Sequence, residues 1–272
     1  IKKAKKCYLD AFKIDSKNVQ YEINRVLSLP PIINSIEELN SNRAQYQQGL
    51  ENLKKYKFYT DEPSKSLRMN SFFLSYQAKN NLEIQKKTAS MFKEIMPNLK
   101  YISKNINKAK DSRKIKVGFI SEFLTKHTIG KLFGGLIQNL NRKVFEIIIF
   151  HSSQTQESPI KDAIDKTANR VIKLKHKITE QRKQIEYENL DIIFYPDIGM
   201  SSITYFLAFS RIAPVQIASL GHPETTGIDT IDYFLSSVYL ETSAAQQKYT
   251  ERLVLLENLP LYYEPPKNFG KL

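Results

Sequence analysis

Apolar positions in the first hundred residues recur at helical spacing. In the stretch KKAKKCYLDAFKI, residues 2–14, Ala4, Tyr8, Ala11 and Phe12 fall at helical intervals and a polar DSKN follows, which predicts a helix ending in a turn. Pro30-Pro31 breaks the pattern. Ser35 and Glu38 have the spacing of a capping box, in which each side chain satisfies the other's free backbone N–H. A long helix should follow, with Leu39, Arg43, Tyr46, Leu50 and Leu53 roughly on one face. Residues 71–79 and 81–95 read as a further helical pair, joined at Asn80-Asn81 and stopped by Pro97. Residues 100–114 are polar and basic and read as a linker.

From Ile115 the period changes. Short apolar runs (KIKVGFI, FEIIIF, VIKL, DIIFYP, VQIASL, YFLSS and LVLL) read as strands. Between them lie helical segments. Thr128 is placed to cap one whose Ile129, Leu132, Phe133, Leu136, Ile137 and Leu140 form an apolar stripe. Ser158-Pro159 opens a second, and others fall near 179–189, 202–209 and 243–249. Strands alternating with helices predict an α/β fold with a parallel sheet covered on both faces, preceded by an all-α region. In such sheets ligands bind at the carboxyl ends of the strands.

Composition narrows this picture. The chain has 272 residues, 41% of them hydrophobic, enough for a real core. Its one cysteine, Cys7, allows no internal disulfide and points to a reducing compartment. No apolar run nears the roughly 20 residues that span a bilayer, and the lysine-rich start is not a signal peptide, so a cytoplasmic protein with no membrane partner is expected. Residues 1–116 carry 24 Lys/Arg against 11 Asp/Glu, whereas residues 117–272 carry 17 of each. A basic surface can bind nucleic acid, but these lysines are scattered and lack aromatic interleaving, so nucleic acid is not the expected partner.

Three loops after strands carry candidate chemistry. In SEFLTKHTIGKLFGG, His127 precedes a helix N-terminus, whose field disfavours an imidazolium and holds the ring neutral. It is a candidate base or hydrogen-bonding contact to a substrate hydroxyl, or a helix-entry residue only. In YPDIGMSS, Asp197 could bind a sugar hydroxyl, act as an acid or base, or simply make a turn. In GHPETTG, Gly221 permits close backbone approach, Pro223 fixes the chain after His222, and Thr225 and Thr226 offer hydroxyls to a polar ligand. His151 and His176 lie in polar surroundings and carry no functional expectation. Neither standard nucleotide loop, no hydrolase elbow and no metal-spaced cluster is present in the sequence.

The residues Arg211-x-Ala213-Pro214-x-Gln216, Leu220-Gly221-His222-Pro223-x-Thr225-Thr226-Gly227 and Asp232-Tyr233 together resemble the signature of the O-linked N-acetylglucosamine transferase family. The His-Pro-x-Thr-Thr form is similar to its bacterial members, including the related N-linked glucosyltransferases. KIKVGFISEFLTKHTIGKLF is similar to the strand and loop that open the family's catalytic region, and PDIGM resembles the bacterial branch while departing from the animal enzymes. AKKCYLDAFKIDSKN resembles the second helix of a tetratricopeptide repeat.

The resemblance implies the end of a repeat at residues 1–28, a helical connector at 29–114, and the first Rossmann-like lobe of a B-type glycosyltransferase at 115–272. It implies inverting, metal-independent transfer of N-acetylglucosamine or glucose from a UDP-sugar to a polypeptide acceptor, with no cofactor. The second lobe is expected to lie beyond PPKNFGKL, so this piece alone is expected to be inactive. His127 is the expected catalytic residue. His222, Thr225, Thr226, Gln216 and Asp197 are the expected donor-binding residues. The alternatives are a non-catalytic peptide-binding scaffold and a nucleic-acid binder.

Overall fold

The computed structural model describes residues 1–69, 71–107 and 114–263. Its first part is helical: α1 (Lys2–Ile14), α2 (Val19–Leu27), α3 (Ile36–Leu53), α4 (Pro63–Ser66) and α5 (Leu82–Ile95). The face of α1 is only partly covered, because none of its residues is fully buried. Helix α3 begins at Ser35, whose hydroxyl accepts from the Glu38 amide at 3.1 Å. The return bond of the expected capping box is shifted by one residue. Glu38 accepts from the Asn34 backbone N–H at 2.9 Å and its side-chain amide at 3.1 Å. Tyr46, Leu50 and Leu53 are buried as the stripe predicts, while Leu39 and Arg43 are half-buried.

Two expectations for this part change. The segment at 71–79 is a 3₁₀ turn over Ser71–Gln77, not an α-helix. Its neighbouring aromatics Phe72, Phe73 and Tyr76 contact one another edge-on or tilted, and Ala78 ends the turn at φ +49°. The polar stretch at 100–114 contains a strand, β1 (Tyr101–Ile102), which pairs in parallel with β6 (Ser210–Arg211). Residues 108–113 of the expected linker, and the closing stretch PPKNFGKL, lie outside the described residues.

The second part alternates as predicted: β2 (Ile115–Ser121), α6 (Thr128–Asn139), β3 (Phe145–His151), α7 (Pro159–Asp165), β4 (Arg170–Lys173), α8 (Ile178–Tyr187), β5 (Ile192–Tyr195), α9 (Ser202–Ala208), β6, β7 (Val215–Ser219), β8 (Tyr233–Ser237) and β9 (Arg252–Leu256). The expected helix at 243–249 is a 3₁₀ turn, Ala245–Lys248. Seven strands form one parallel sheet in the order β4-β3-β2-β5-β7-β8-β9.

Side chains divide between the two faces with the strand period of two. Val117, Phe119, Ile147, Ile149 and Phe194 pack with Ile129, Phe133 and Ile137 of α6 and Ile164 of α7. The alternate residues Ile120, Ile148, Phe150, Ile193 and Tyr195 join a second cluster that runs without a break through α8, α9 and the helical part, to Ile23, Leu50 and Phe92.

Two side chains fasten that seam. Phe92 of α5 is fully buried against Tyr205, Phe206 and Phe209, with ring centroids 5.9, 5.1 and 6.4 Å away. Arg182 of α8 is buried and satisfies its guanidinium with the carbonyls of Asn98 and Leu99 at 2.9 and 2.8 Å and the Ser210 hydroxyl at 2.7 Å. A rigid planar donor fork reaches three acceptors on two segments at once, which a lysine could not do.

Candidate active site

The sheet order places a switch point between β2 and β5. The chain leaves β2 toward β3 and β4 on one side, then returns to β5 on the other. Crevices at such points, beyond the carboxyl ends of the strands, are where open α/β sheets bind ligands. The loops after β2, β5 and the next strand, β7, are the three that the sequence singles out.

Two cross-bonds tie the β2 loop to the β5 loop. Ser121 donates from Oγ to Asp197 Oδ2 at 2.7 Å and accepts the Phe123 amide at 2.8 Å. Ser201 donates to Glu122 Oε2 at 2.5 Å and accepts the Ile203 amide at 3.1 Å, which caps α9. Asp197 is fully buried, and its Oδ1 has no hydrogen-bond partner. Burial pushes its carboxyl up to about 7, and the nearby charge of Glu122 adds to the rise. Sequence reasoning missed Ser121 and Glu122. Their signal was the polar Ser-Glu pair directly at the end of an apolar strand.

His127, not Thr128, caps α6: its Nδ1 accepts the Ile129 amide at 3.2 Å, and Thr128 is the first helical residue. The imidazole lies flat on Phe123, centroids 4.5 Å apart and planes 27° apart. Partial burial lowers its pKa, with Glu122 opposing, so the ring is neutral. An amide proton aimed at Nδ1 requires a lone pair there, so the neutral ring carries its proton on Nε2. His127 therefore presents a donor on Nε2, the opposite of what a general base presents.

The β7 loop rests on the other two. Gly221 donates its N–H to Pro196 O at 2.9 Å. A Cβ at Gly221 would lie 2.2 Å from that oxygen and 2.7 Å from Cδ1 of Ile129, in the turn that His127 caps. His222 is buried between Phe72, with ring centroids 5.2 Å apart, and Gly199. Gly199 adopts φ +104°, and a Cβ there would fall 2.4 Å from His222 Cδ2, so the β5 loop needs glycine on both counts. Neither ring nitrogen of His222 has a hydrogen-bond partner, and burial pushes its pKa down to about 4. A buried neutral imidazole with two open nitrogens is an unsatisfied polar group of the kind found at ligand sites.

The remaining expected residues face inward. Thr225 Oγ1 donates to Glu251 Oε2 at 2.6 Å. The Thr226 N–H donates to Glu251 Oε1 at 2.8 Å, and the Thr226 hydroxyl bonds the same oxygen. Gln216 spends its amide inside the protein, accepting from Ile212 N at 2.9 Å and donating to Thr230 O at 2.9 Å. The loop is also pinned to the helical part, where Asn81 donates to Glu224 Oε1 at 2.6 Å and Arg43 donates to Asn81 at 2.7 Å. A groove of about 560 Å³ opens here between Asn80–Leu82, Pro223–Thr225 and Glu241.

His151 does lie among charged groups, with Asp165, Lys161 and Glu157 around it. It is buried, bonds Asp165 through Nε2 at 2.7 Å, and ends β3 directly beside Ser121, where the β2 loop begins. His176 is exposed and meets Ser153. No group of three or more His, Cys, Asp or Glu among the described residues could hold a metal ion, and no described helix is long and apolar enough to cross a membrane.

The chain is similar to known proteins. It is 43% identical over 60 residues to a tomato protein, the probable UDP-N-acetylglucosamine–peptide N-acetylglucosaminyltransferase SPINDLY, covering 22% of this chain and 6% of that one. It is 34% identical over 92 residues to the UDP-glucose:protein N-beta-glucosyltransferase of Actinobacillus pleuropneumoniae, covering 34% and 14%. The fold matches a solved O-GlcNAc transferase mutant of Thermobaculum terrenum with a TM-score of 0.66 at 19% identity, covering 97% of this chain and 49% of that one. The chain thus spans about half of that structure and a small share of the curated relatives. Residues 71–262, which hold all three strand-end loops and the aromatic turn over His222, match the model of a single family, and the chain belongs to glycosyl transferase family 41.

Proposed function

We propose that this chain forms the first lobe of an enzyme that moves a sugar from a UDP-sugar to a protein side chain. The transfer is inverting and independent of metal, and the donor is UDP-N-acetylglucosamine or UDP-glucose. The observation that carries this reading is the convergence of three strand-end loops at the sheet's switch point, with a donor-presenting imidazole at 127 and an unsatisfied buried one at 222. Family membership and relatives named for UDP-sugar chemistry on protein support it.

In this reading His127 positions substrate by donating from Nε2 to an oxygen of the donor sugar or the acceptor. His222 supplies a neutral nitrogen at the wall of the cleft. Asp197 holds the β2 and β5 loops together through Ser121 and keeps one buried oxygen unpartnered. Thr225, Thr226 and Gln216 shape the loop from behind. The acceptor attacks the anomeric carbon as the bond to the diphosphate breaks, and stabilising the departing diphosphate is the larger electrostatic demand.

The test uses the full gene product with UDP-N-acetylglucosamine or UDP-glucose and peptides bearing Ser/Thr or Asn acceptors, read by mass spectrometry. One added N-acetylhexosamine or hexose is the expected result and identifies donor and acceptor together. No transfer from either donor contradicts the proposal.

A further inference from the structure

The Glu251 carboxylate sits 2% exposed at the foot of β9 and collects three donors from one short turn: the Thr225 hydroxyl, the Thr226 amide and the Thr226 hydroxyl. All three are neutral groups, and each charge-assisted bond is stronger than its neutral counterpart. The two hydroxyls also cap the turn itself. Thr225 Oγ1 accepts the Thr250 amide at 3.0 Å, and Thr226 Oγ1 accepts the Ile228 amide at 3.1 Å. Both hydroxyls therefore donate to Glu251 and accept from backbone, which leaves little for a ligand. A threonine side chain is stiff at χ1, so two in succession aim two hydroxyls at one carboxylate with small entropic loss. Gln246 steadies the other side, donating to the Glu251 carbonyl at 2.9 Å and accepting the Leu253 amide at 2.9 Å.

We infer that Glu251 is a positioning residue for the site: its carboxylate clamps Thr225 and Thr226, and through them holds His222 between Phe72 and Gly199. The clamp explains the paired threonines without any contact to substrate. The role of His222 in sugar transfer rests on the function proposed above. The clamp itself does not, so its test uses no sugar.

The experiment is site-resolved diethyl pyrocarbonate labelling of the folded chain, with each histidine followed by mass spectrometry. His222 and His151 are both buried, and His151 ends β3 whereas His222 follows β7, with β2 and β5 between them in the sheet, so His151 reports loosening beyond the clamped loop. In Glu251→Gln and in Thr226→Val the labelling rate of His222 should rise by about tenfold, equivalent to ~1.4 kcal/mol, with His151 unchanged. The double variant should be no worse than the worse single one, because both remove the same interaction. Thr225→Ser with Thr226→Ser keeps both hydroxyls and should label within about threefold of wild type, a ~0.6 kcal/mol difference. Unchanged His222 labelling in both single variants overturns the inference, as does a parallel rise of His151 and His222. If Glu251→Gln does not fold, Thr226→Val and the double-serine variant decide alone. Failure of sugar transfer would leave this result standing, and failure here would leave the transfer proposal to its own assay.

Discussion

His222 and Asp197 sit in adjacent loops, and burial favours the neutral form of both, by opposite proton movements. His222 is pushed down to about 4 from an ordinary 6.5. Between those values the unfolded chain binds a proton that the folded ring refuses, so stability is lost as pH falls through that window. Asp197 is pushed up to about 7 from an ordinary 3.8. There the folded chain keeps a proton that the unfolded chain releases, so stability is lost as pH rises through the window. The two slopes oppose each other between about pH 4 and 6.5. Urea titrations at several pH values should show Asp197→Asn gaining stability relative to wild type as pH rises toward 7. His222→Asn should gain as pH falls toward 4. Each relative change is of the order of 3–4 kcal/mol across its window, from 1.36 kcal/mol per pKa unit. His127 and His151, also lowered by burial, contribute the same slope to every variant except their own. Parallel curves for both variants and wild type would mean that neither group is shifted.

At the scale of one element, helix α6 tests whether His127 does more than cap. His127→Ala removes the acceptor for the Ile129 amide and should destabilise the chain by about 1 kcal/mol. Asparagine is a good N-cap, so His127→Asn should stay within about 0.5 kcal/mol of wild type while removing the imidazole. Thermal or urea unfolding of the two variants separates the roles, and equal losses would mean that the cap is made differently. The strands and helices of the second part were legible because apolar runs and the 3.6 period do not depend on distant partners. The turn at Ser71–Gln77 was not, since its apolar spacing suits an α-helix equally well, and its contact with His222 through Phe72 is distant in sequence. The capping shift from Thr128 to His127 was invisible for a related reason, because imidazole Nδ1 can replace a hydroxyl oxygen only in one ring orientation. Asp197 and His222 stood out as polar residues just after apolar runs, and His127 as a histidine just before a helix N-terminus. Glu251 did not, because what makes it matter is two threonines that lie 25 and 26 residues away in sequence.

On the scale of the whole chain, the helical part and one face of the sheet share a continuous buried cluster, and the aromatic turn of the helical part covers His222, a proposed site residue. On the proposed function, the helical part is therefore a wall of the site and not a spacer. Phe92→Ala opens a cavity where four aromatic rings meet and should lose about 3–5 kcal/mol, read by urea unfolding as one earlier transition, not two. A split into two transitions would mean that the parts fold independently. The central claim is that the loops after β2, β5 and β7 form one sugar-transfer wall. Its most direct test is kcat/KM for UDP-sugar in the full gene product carrying His127→Asn, His222→Asn, or both. Each single substitution should lower it by about a hundredfold, equivalent to ~2.7 kcal/mol, with the double well short of the product of the two. Activity within about twofold of wild type in both single variants, under ~0.5 kcal/mol, would contradict the claim.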